Sequence, residues 1–317
     1  MDVVAEVERA EARIRPYVRE TYLEPAPAYG DGVFFKCENL QHTGSFKVRG
    51  AFNKVLSLDA GARAGGVVTA STGNHGAAVA FALGQTGGNG TVFVPTDAAA
   101  TKLAAIERLG AGVETHGDDG AESERIARQH AADSGRSYIS PYNDPQIVGG
   151  QGTIAVELLR QLDGIDAVFV AVGGGGLVSG IAGYLKAKSP HTRIVGCSPT
   201  NSQVLLESAA AGEILDLPSL PTLSDGTAGG VEPGSITLPI VRDCVDEWVS
   251  VSEAEIGTAM CRFIDTQHML IEGAAGVAIA AYQQQRRRWT GKRVVIVLCG
   301  GNIGLPTLQQ VLATYAA

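Results

Sequence analysis

The sequence predicts an α/β protein built on mostly parallel sheets. Short apolar runs alternate with segments of helical spacing, the rhythm of strand–helix–strand units. The later runs, Ala167–Val172, Arg193–Gly196 and Arg293–Leu298, are largely apolar on successive residues, as strands covered on both faces must be.

Taken in order, Val4, Val7, Ile14 and Val18 mark an opening helix, and Val33-Phe34-Phe35 reads as a strand. A helical pattern then opens at Ser45-Phe46-Lys47-Val48-Arg49-Gly50 and continues through Ala51, Phe52 and Val55. Strands follow at Gly66–Thr69, Thr91–Val94 and Gly112–Thr115, and helix-like segments at Gly76–Leu83 and Ala99–Leu109 come after the first two. Asp216–Pro239 holds four prolines and four glycines and reads as a long excursion across the surface. The run Ala167–Val172 leads into a helix through Ile181, Tyr184 and Leu185. No internal repeat or low-complexity tract stands out.

A chain of 317 residues suits one large or two ordinary domains with a real core. Its net charge of −8 and lack of a long basic run argue against a nucleic-acid partner. The one basic cluster, Arg286-Arg287-Arg288, follows a helical segment and reads as a solvated helix end. Cys37, Cys197, Cys244, Cys261 and Cys299 are scattered and form no CxxC pair, so neither a zinc site nor a disulfide framework is expected. No stretch has membrane-spanning length without a charge or breaker, and the N-terminus is acidic-amphipathic rather than signal-like. A reducing, cytoplasmic setting is the expectation.

Four motifs carry chemistry. Lys47 stands where a strand gives way to a helix, between Gly44 and Gly50. Partial desolvation there lowers an amine's pKa and suits it to Schiff-base formation. Ser71-Thr72-Gly73-Asn74-His75-Gly76 follows a strand and opens a helix, a natural pocket for a carboxylate. Asn74 can offer an amide to a ring oxygen, whereas His75 reads as a structural hydrogen-bonding group. Val172-Gly173-Gly174-Gly175-Gly176-Leu177 leaves backbone amides open at a helix start, a fit for phosphate. A dinucleotide turn needs an acidic residue at the end of the next strand, where this chain has Cys197-Ser198-Pro199. Leu298-Cys299-Gly300-Gly301-Asn302 closes the last long strand, with Cys299 the candidate partner of a ring nitrogen.

Aldehyde, ring oxygen, phosphate and ring nitrogen are the four handles of pyridoxal 5'-phosphate. With Lys36–Lys47 and Gly150-Gln151-Gly152-Thr153 beside these motifs, the chain resembles the fold-type II (tryptophan synthase beta-like) pyridoxal-phosphate enzymes from about Val33 to Gly304. Within them it is similar to the serine/threonine dehydratases (ammonia-lyases) and to serine racemase. The wording Ser71–His75 and Glu272-Gly273-Ala274-Ala275-Gly276 is also similar to dehydratases associated with hydroxyectoine breakdown.

That resemblance implies a dimer of two-domain subunits with the cofactor in the cleft between domains. A small domain of residues 65–137 would be inserted in a large one made from 1–64 and 138–317. Implied cofactor contacts are Phe46, Lys47, Asn74, Gly173, Gly174, Gly175, Gly176, Leu177 and Cys299. Implied substrate contacts are Ser71, Thr72, Gly73, Asn74 and His75, with Tyr142, Asp225 and Gly226 as further candidates. Glu272 reads either as facing the cofactor or as a satisfied structural carboxylate. Lys47 would serve as catalytic base on the Cα proton. A neutral thiol at the ring nitrogen would be a weaker electron sink than an acidic partner, favouring loss of a β-hydroxyl over transamination.

The implied activity is dehydration and deamination of a 3-hydroxy amino acid such as L-threonine or L-serine, releasing a 2-oxo acid and ammonia. Amino-acid racemisation is the alternative. Thr72 stands where the racemase motif has a serine acting as the base on the other cofactor face, so Thr72 is the second catalytic candidate. A pyridoxal-phosphate carrier without turnover is a third reading. A β-replacement synthase is disfavoured, because its ring-nitrogen partner is usually serine or threonine. Related enzymes bind a divalent cation through acidic residues after the strand ending here at Gly196. Ser198 and Val204 occupy the matching positions, so no metal site is expected. No isoleucine-responsive regulatory domain is expected either.

Overall fold

The computed structural model describes residues 1–96, 98, 100–118 and 120–316, with the side chains of all of these except 101 and 102. Its strands are β1 (Leu23–Pro25), β2 (Val33–Lys36), β3 (Val67–Ala70), β4 (Gly90–Val94), β5 (Gly112–Thr115), β6 (Ser137–Tyr138), β7 (Ala167–Ala171), β8 (Arg193–Pro199), β9 (Glu247–Val251) and β10 (Val294–Val297). They form two sheets, β1-β2-β10-β7-β8-β9 and β5-β4-β3-β6. Every pairing is parallel except β1 with β2. Strands β3, β7 and β10 are buried at each position, which explains their unbroken apolar runs.

The helices are α1 (Val3–Ile14), α2 (Lys47–Ser57), α3 (Ala60–Gly65), α4 (Asn74–Thr86), α5 (Ala100–Arg108), α6 (Gly120–Ser134) and α7 (Pro145–Gln161), followed by α8 (Gly176–Lys188), α9 (Val204–Ala211), α10 (Thr237–Cys244), α11 (Glu253–Gln267), α12 (Gly273–Gln285) and α13 (Leu305–Tyr315). Local chemistry sets several boundaries. Asp144 caps α7 by accepting from Gln146 N at 2.8 Å and Ile147 N at 3.2 Å, with Pro145 in the first turn. Ser252 and Glu255 close a reciprocal capping box on α11.

Several readings change. The opening helix stops at Ile14, short of Val18, because Pro16 has no N–H to continue it. Two short 3-10 turns, Glu38–Leu40 and His42–Gly44, separate β2 from α2. Strand β8 runs past Gly196 to Pro199, since Ser198 and Pro199 still pair with Ser250 and Val251 of β9. Helix α4 begins two residues before Gly76. Of the segment Ala99–Leu109, Ala99 lies outside the described residues and α5 covers Ala100–Arg108. The stretch 216–239 contains a 3-10 turn at Asp225–Thr227 and the first residues of α10.

Helix α7 is the spine between α2 and α8. A Cβ on Gly150 would lie 2.5 Å from the Arg49 carbonyl oxygen of α2, and one on Gly180 of α8 would lie 2.6 Å from Gly152 N of α7. Backbone meets backbone at both crossings, which only glycine permits.

A buried ionic cluster, which includes Thr153 and Glu157 of α7, ties α2 to the same helix. Arg49, fully buried, donates from Nε and Nη2 to Glu38 at 2.8 Å each, and from Nη1 to Glu157 at 2.6 Å and Thr153 Oγ1 at 3.1 Å. Lys36, also fully buried, donates to Glu157, to Thr21 O and to Gln161. Burial disfavours the Arg49 charge, but the two carboxylates outweigh it and hold the guanidinium above its ordinary range.

Candidate active site

The C-terminal ends of β3, β7 and β10 open onto one cleft of about 1250 Å³, where ligands of open α/β sheets ordinarily bind. The start of α2, residues 225–232 and parts of α5 and α6 add to its wall. The stretch read as a surface excursion therefore has a second role. Its polar, glycine-rich composition suits a loop that is part solvent-exposed and part cleft wall.

Lys47, the first residue of α2, directs Nζ into the cleft and donates to Pro141 O at 2.9 Å. The same Nζ lies 5.3 Å from the centre of the Phe46 ring. Burial of the amine lowers its pKa to about 8, with Cys299 and Glu272 pulling it back up. At pH 7 roughly a tenth of such an amine is unprotonated and nucleophilic, far more than of an ordinary lysine. Cys299 is buried two residues beyond β10 and its carbonyl accepts from Phe46 N at 3.1 Å. Burial raises its thiol well above the usual range, Glu272 adding to the effect, so the sulfur stays protonated and neutral.

Ser71, Thr72 and Gly73 join β3 to α4 and line the cleft. Gly73 N donates to Ser71 Oγ at 3.1 Å, and a Cβ on Gly76 would sit 2.2 Å from Ser71 O, so glycine is required for this tight entry. His75 also lines the cleft, with its Nε2 anchored to backbone. It is buried, its Nε2 donates to Ile139 O at 3.1 Å, and burial together with the Lys47 charge lowers its pKa to about 3. Asn74 Nδ2 donates to both Glu272 oxygens, at 3.0 and 2.9 Å.

Gly173, Gly174, Gly175 and Gly176 carry the chain from β7 into α8. A Cβ on Gly174 would fall 2.4 Å from the Tyr142 ring, and Gly175 has φ +87°. Thr237 Oγ1 braces the loop by donating to Gly174 O at 2.9 Å. The first-turn amides of α8, Leu177 included, have no partner within the helix and lie beside the cleft.

Tyr142, Asp225 and Gly226 also line the cleft. Tyr142 Oη accepts from Glu232 N at 2.9 Å. Asp225 Oδ1 accepts from Gly226 N at 2.8 Å. At the mouth, Arg128 of α6 pairs with Glu124 at 2.8 Å and Glu232 at 2.9 Å. Sequence reasoning did not single out Asn302, Thr227, Thr237 or the Arg128 pair. Asn302 alone had a signal, as the polar end of a glycine turn after a buried strand. Among the described residues, no group of three or more histidine, cysteine or acidic side chains is placed to hold a metal ion.

These residues fit a cofactor that is aldehyde at one end and dianion at the other. The Lys47 amine, the open first-turn amides of α8 and the neutral Cys299 thiol stand on one cleft and would receive an aldehyde, a phosphate and a ring nitrogen respectively. The fold and site together define a pyridoxal-phosphate enzyme. The chain belongs to the family described as pyridoxal-phosphate dependent enzymes, whose model matches residues 14–300, and its cofactor is pyridoxal phosphate. It is 38% identical over 310 residues to the L-threonine ammonia-lyase of Geobacter sulfurreducens, covering 96% of this chain and 77% of that protein. To the serine racemase of Arabidopsis thaliana it is 38% identical over 314 residues, covering 96% and 94%. The solved structure of threonine deaminase isoform 2 from Solanum lycopersicum, in its processed form, superposes with a TM-score of 0.94 at 30% identity, covering 98% and 92%.

Proposed function

We propose that this protein dehydrates and deaminates a 3-hydroxy amino acid, L-threonine, L-serine or a relative, to a 2-oxo acid and ammonia. The observation that carries the reading is the meeting of a lysine amine near pKa 8 and a buried neutral thiol in one cleft. The similarity to an L-threonine ammonia-lyase supports it.

In this reading Lys47 would hold the cofactor covalently, and its Nζ, freed when substrate binds, would take the Cα proton. Phe46 packs beside that lysine. Ser71, Thr72, Gly73, Asn74 and His75 form the carboxylate pocket, His75 as a backbone-anchored support. The amides of Gly173 to Leu177 hold the phosphate. Bound pyridoxal phosphate supplies the electron sink that makes the Cα proton acidic. Cys299, neutral at physiological pH, places no negative charge at the ring nitrogen.

Cys299→Asp is expected to shift turnover from 2-oxo acid release by elimination toward transamination. An unchanged product ratio in that variant would count against a ring-nitrogen role. A chelator is expected to leave the rate unchanged, and a large loss restored by magnesium would contradict the absence of a catalytic cation.

Racemisation is the second reading, favoured by the equal identity to a serine racemase; Thr72, on the cleft wall where the racemase motif has serine, is a more crowded hydroxyl and counts against it. We also propose a homodimer and a cytoplasmic location. No described helix is long and apolar enough to cross a membrane. Division into a small domain, 65–137, within a large one, 1–64 and 138–317, is a further proposal, supported by the separate four-stranded sheet.

The test is 2-oxo acid and ammonia release from serine, threonine, 3-hydroxyaspartate and phenylserine in both configurations, with chiral analysis of recovered substrate. Stoichiometric release from one of them supports the lyase. Inverted substrate without oxo acid would hand the function to the racemase reading.

A further inference from the structure

Glu272 sits at the N-cap position of α12, yet its carboxylate makes no capping bond to its own helix. It is only 4% exposed. The side chain reaches instead to two asparagines from distant segments. Asn74 Nδ2 donates to both its oxygens, and Asn302 N donates to Oε2 at 3.2 Å. Asn302 Nδ2 then donates to Asn74 Oδ1 at 2.6 Å and to Thr43 O at 2.7 Å, closing a ring of hydrogen bonds. Backbone fixes the carboxylate as well. Glu272 N donates to Gly300 O at 3.1 Å, and a Cβ on Gly300 would lie 2.6 Å from Glu272 Oε1. Removing a carboxylate from water costs several kcal/mol unless its lone pairs are filled, and the ring fills them with donors from outside α12.

We propose that Glu272 is a positioning residue that holds Asn74, and with it the N-terminus of α4, in register with Lys47 and Cys299 at the end of β10. The part concerning substrate rests on the reading of Ser71–His75 as the carboxylate pocket. Asn74 is the first residue of α4 and directly follows the loop Ser71–Gly73. Fixing its amide therefore fixes the loop against the large sheet. A neutral residue of the same shape has one acceptor oxygen where Glu272 has two, and its own N–H hydrogens face those of Asn74.

The grip depends on ionisation. Burial raises the Glu272 carboxyl to about 7, Asp225 adds to this, and Asn74, the Asn302 amide and Lys47 oppose it. The charged or titratable groups facing it are Asp225 on the 3-10 turn, Lys47 at the start of α2 and Cys299 beyond β10. His75 on α4 is turned to Ile139 O. Above about pH 7 both oxygens accept from Asn74. Below it, one oxygen carries a proton and opposes an Asn74 N–H.

The experiment compares wild type, Glu272→Gln and Glu272→Asp from pH 6 to 9, reading KM and kcat for L-threonine and the dissociation constant of pyridoxal phosphate by equilibrium dialysis. In wild type, KM falls as pH rises through about 7. Glu272→Gln raises KM at pH 8 by about tenfold, the weight of one charge-assisted hydrogen bond, with a smaller change in kcat. It also flattens the pH dependence near 7, leaving the titration of Lys47. Glu272→Asp keeps a carboxylate and restores part of that dependence. A Gln variant with wild-type KM and wild-type pH dependence overturns the proposal. If no hydroxy amino acid is turned over, the proposed reaction fails. The dialysis arm still decides on Glu272, because cofactor binding in wild type then tightens through pH 7 relative to Glu272→Gln, and parallel curves overturn it.

Discussion

Lys47→Ala is expected to lower 2-oxo acid release by about 10⁴-fold or more, because it deletes both a covalent anchor and a general base. The fold is expected to survive. The side chain makes one hydrogen bond, to Pro141 O, and a single neutral bond contributes only about 1 kcal/mol net. Removing an amine whose charged form is disfavoured by burial offsets part of that loss. Helix α2 keeps its own contacts to α7 and the ionic cluster. The check is turnover alongside circular dichroism and urea unfolding of the same preparation. Borohydride reduction of the loaded protein should fix the cofactor to wild type and not to the variant. Substantial turnover by a folded Lys47→Ala protein would remove the basis for the lyase assignment.

Arg49→Met is expected to destabilise the protein by about 3–5 kcal/mol, the range for removing one partner of a buried ion pair. Glu38 and Glu157 both lose their main donor, and neither reaches water. Lys36 still neutralises Glu157, but Glu38 keeps only the Thr21 hydroxyl. Methionine recovers packing volume and no charge. Denaturant unfolding near pH 7 measures the loss. A change under about 1 kcal/mol would show that the cluster relaxes or hydrates. The double change Arg49→Met with Glu38→Gln should recover part of the stability, since it removes one stranded charge.

The chemistry of the cleft was legible where one short segment supplies it. The loops at Ser71 and Gly173 each sit on a single strand-to-helix turn, and Lys47 opens a helix just after Gly44, so glycine spacing announces all three. Interactions that close between distant segments were not. Glu272 reads from its neighbours as either ligand or structural carboxylate, because its partner Asn74 lies 198 residues away in sequence. The Arg128–Glu232 pair, joining α6 to the proline-rich stretch, left no local pattern. Among strands, β9 was missed because Glu247-Trp248-Val249-Ser250-Val251 mixes polar and apolar positions at the sheet edge. Strand β6 has only two residues and forms by pairing with β3. At α1 the hydrophobic period runs on to Val18, but the helix ends at Ile14 ahead of Pro16.

The contacts of α7 through Gly150 and Gly152 bear on how such a protein can change its diet. The separation of Lys47 from the glycine loop before α8 is set where main chains touch, so no ordinary side-chain replacement there can adjust it gradually. The walls at Asp225–Glu232 and along α5 and α6 lie outside those crossings. New substrates can thus be explored by altering these walls while the bond-breaking frame is inherited unchanged.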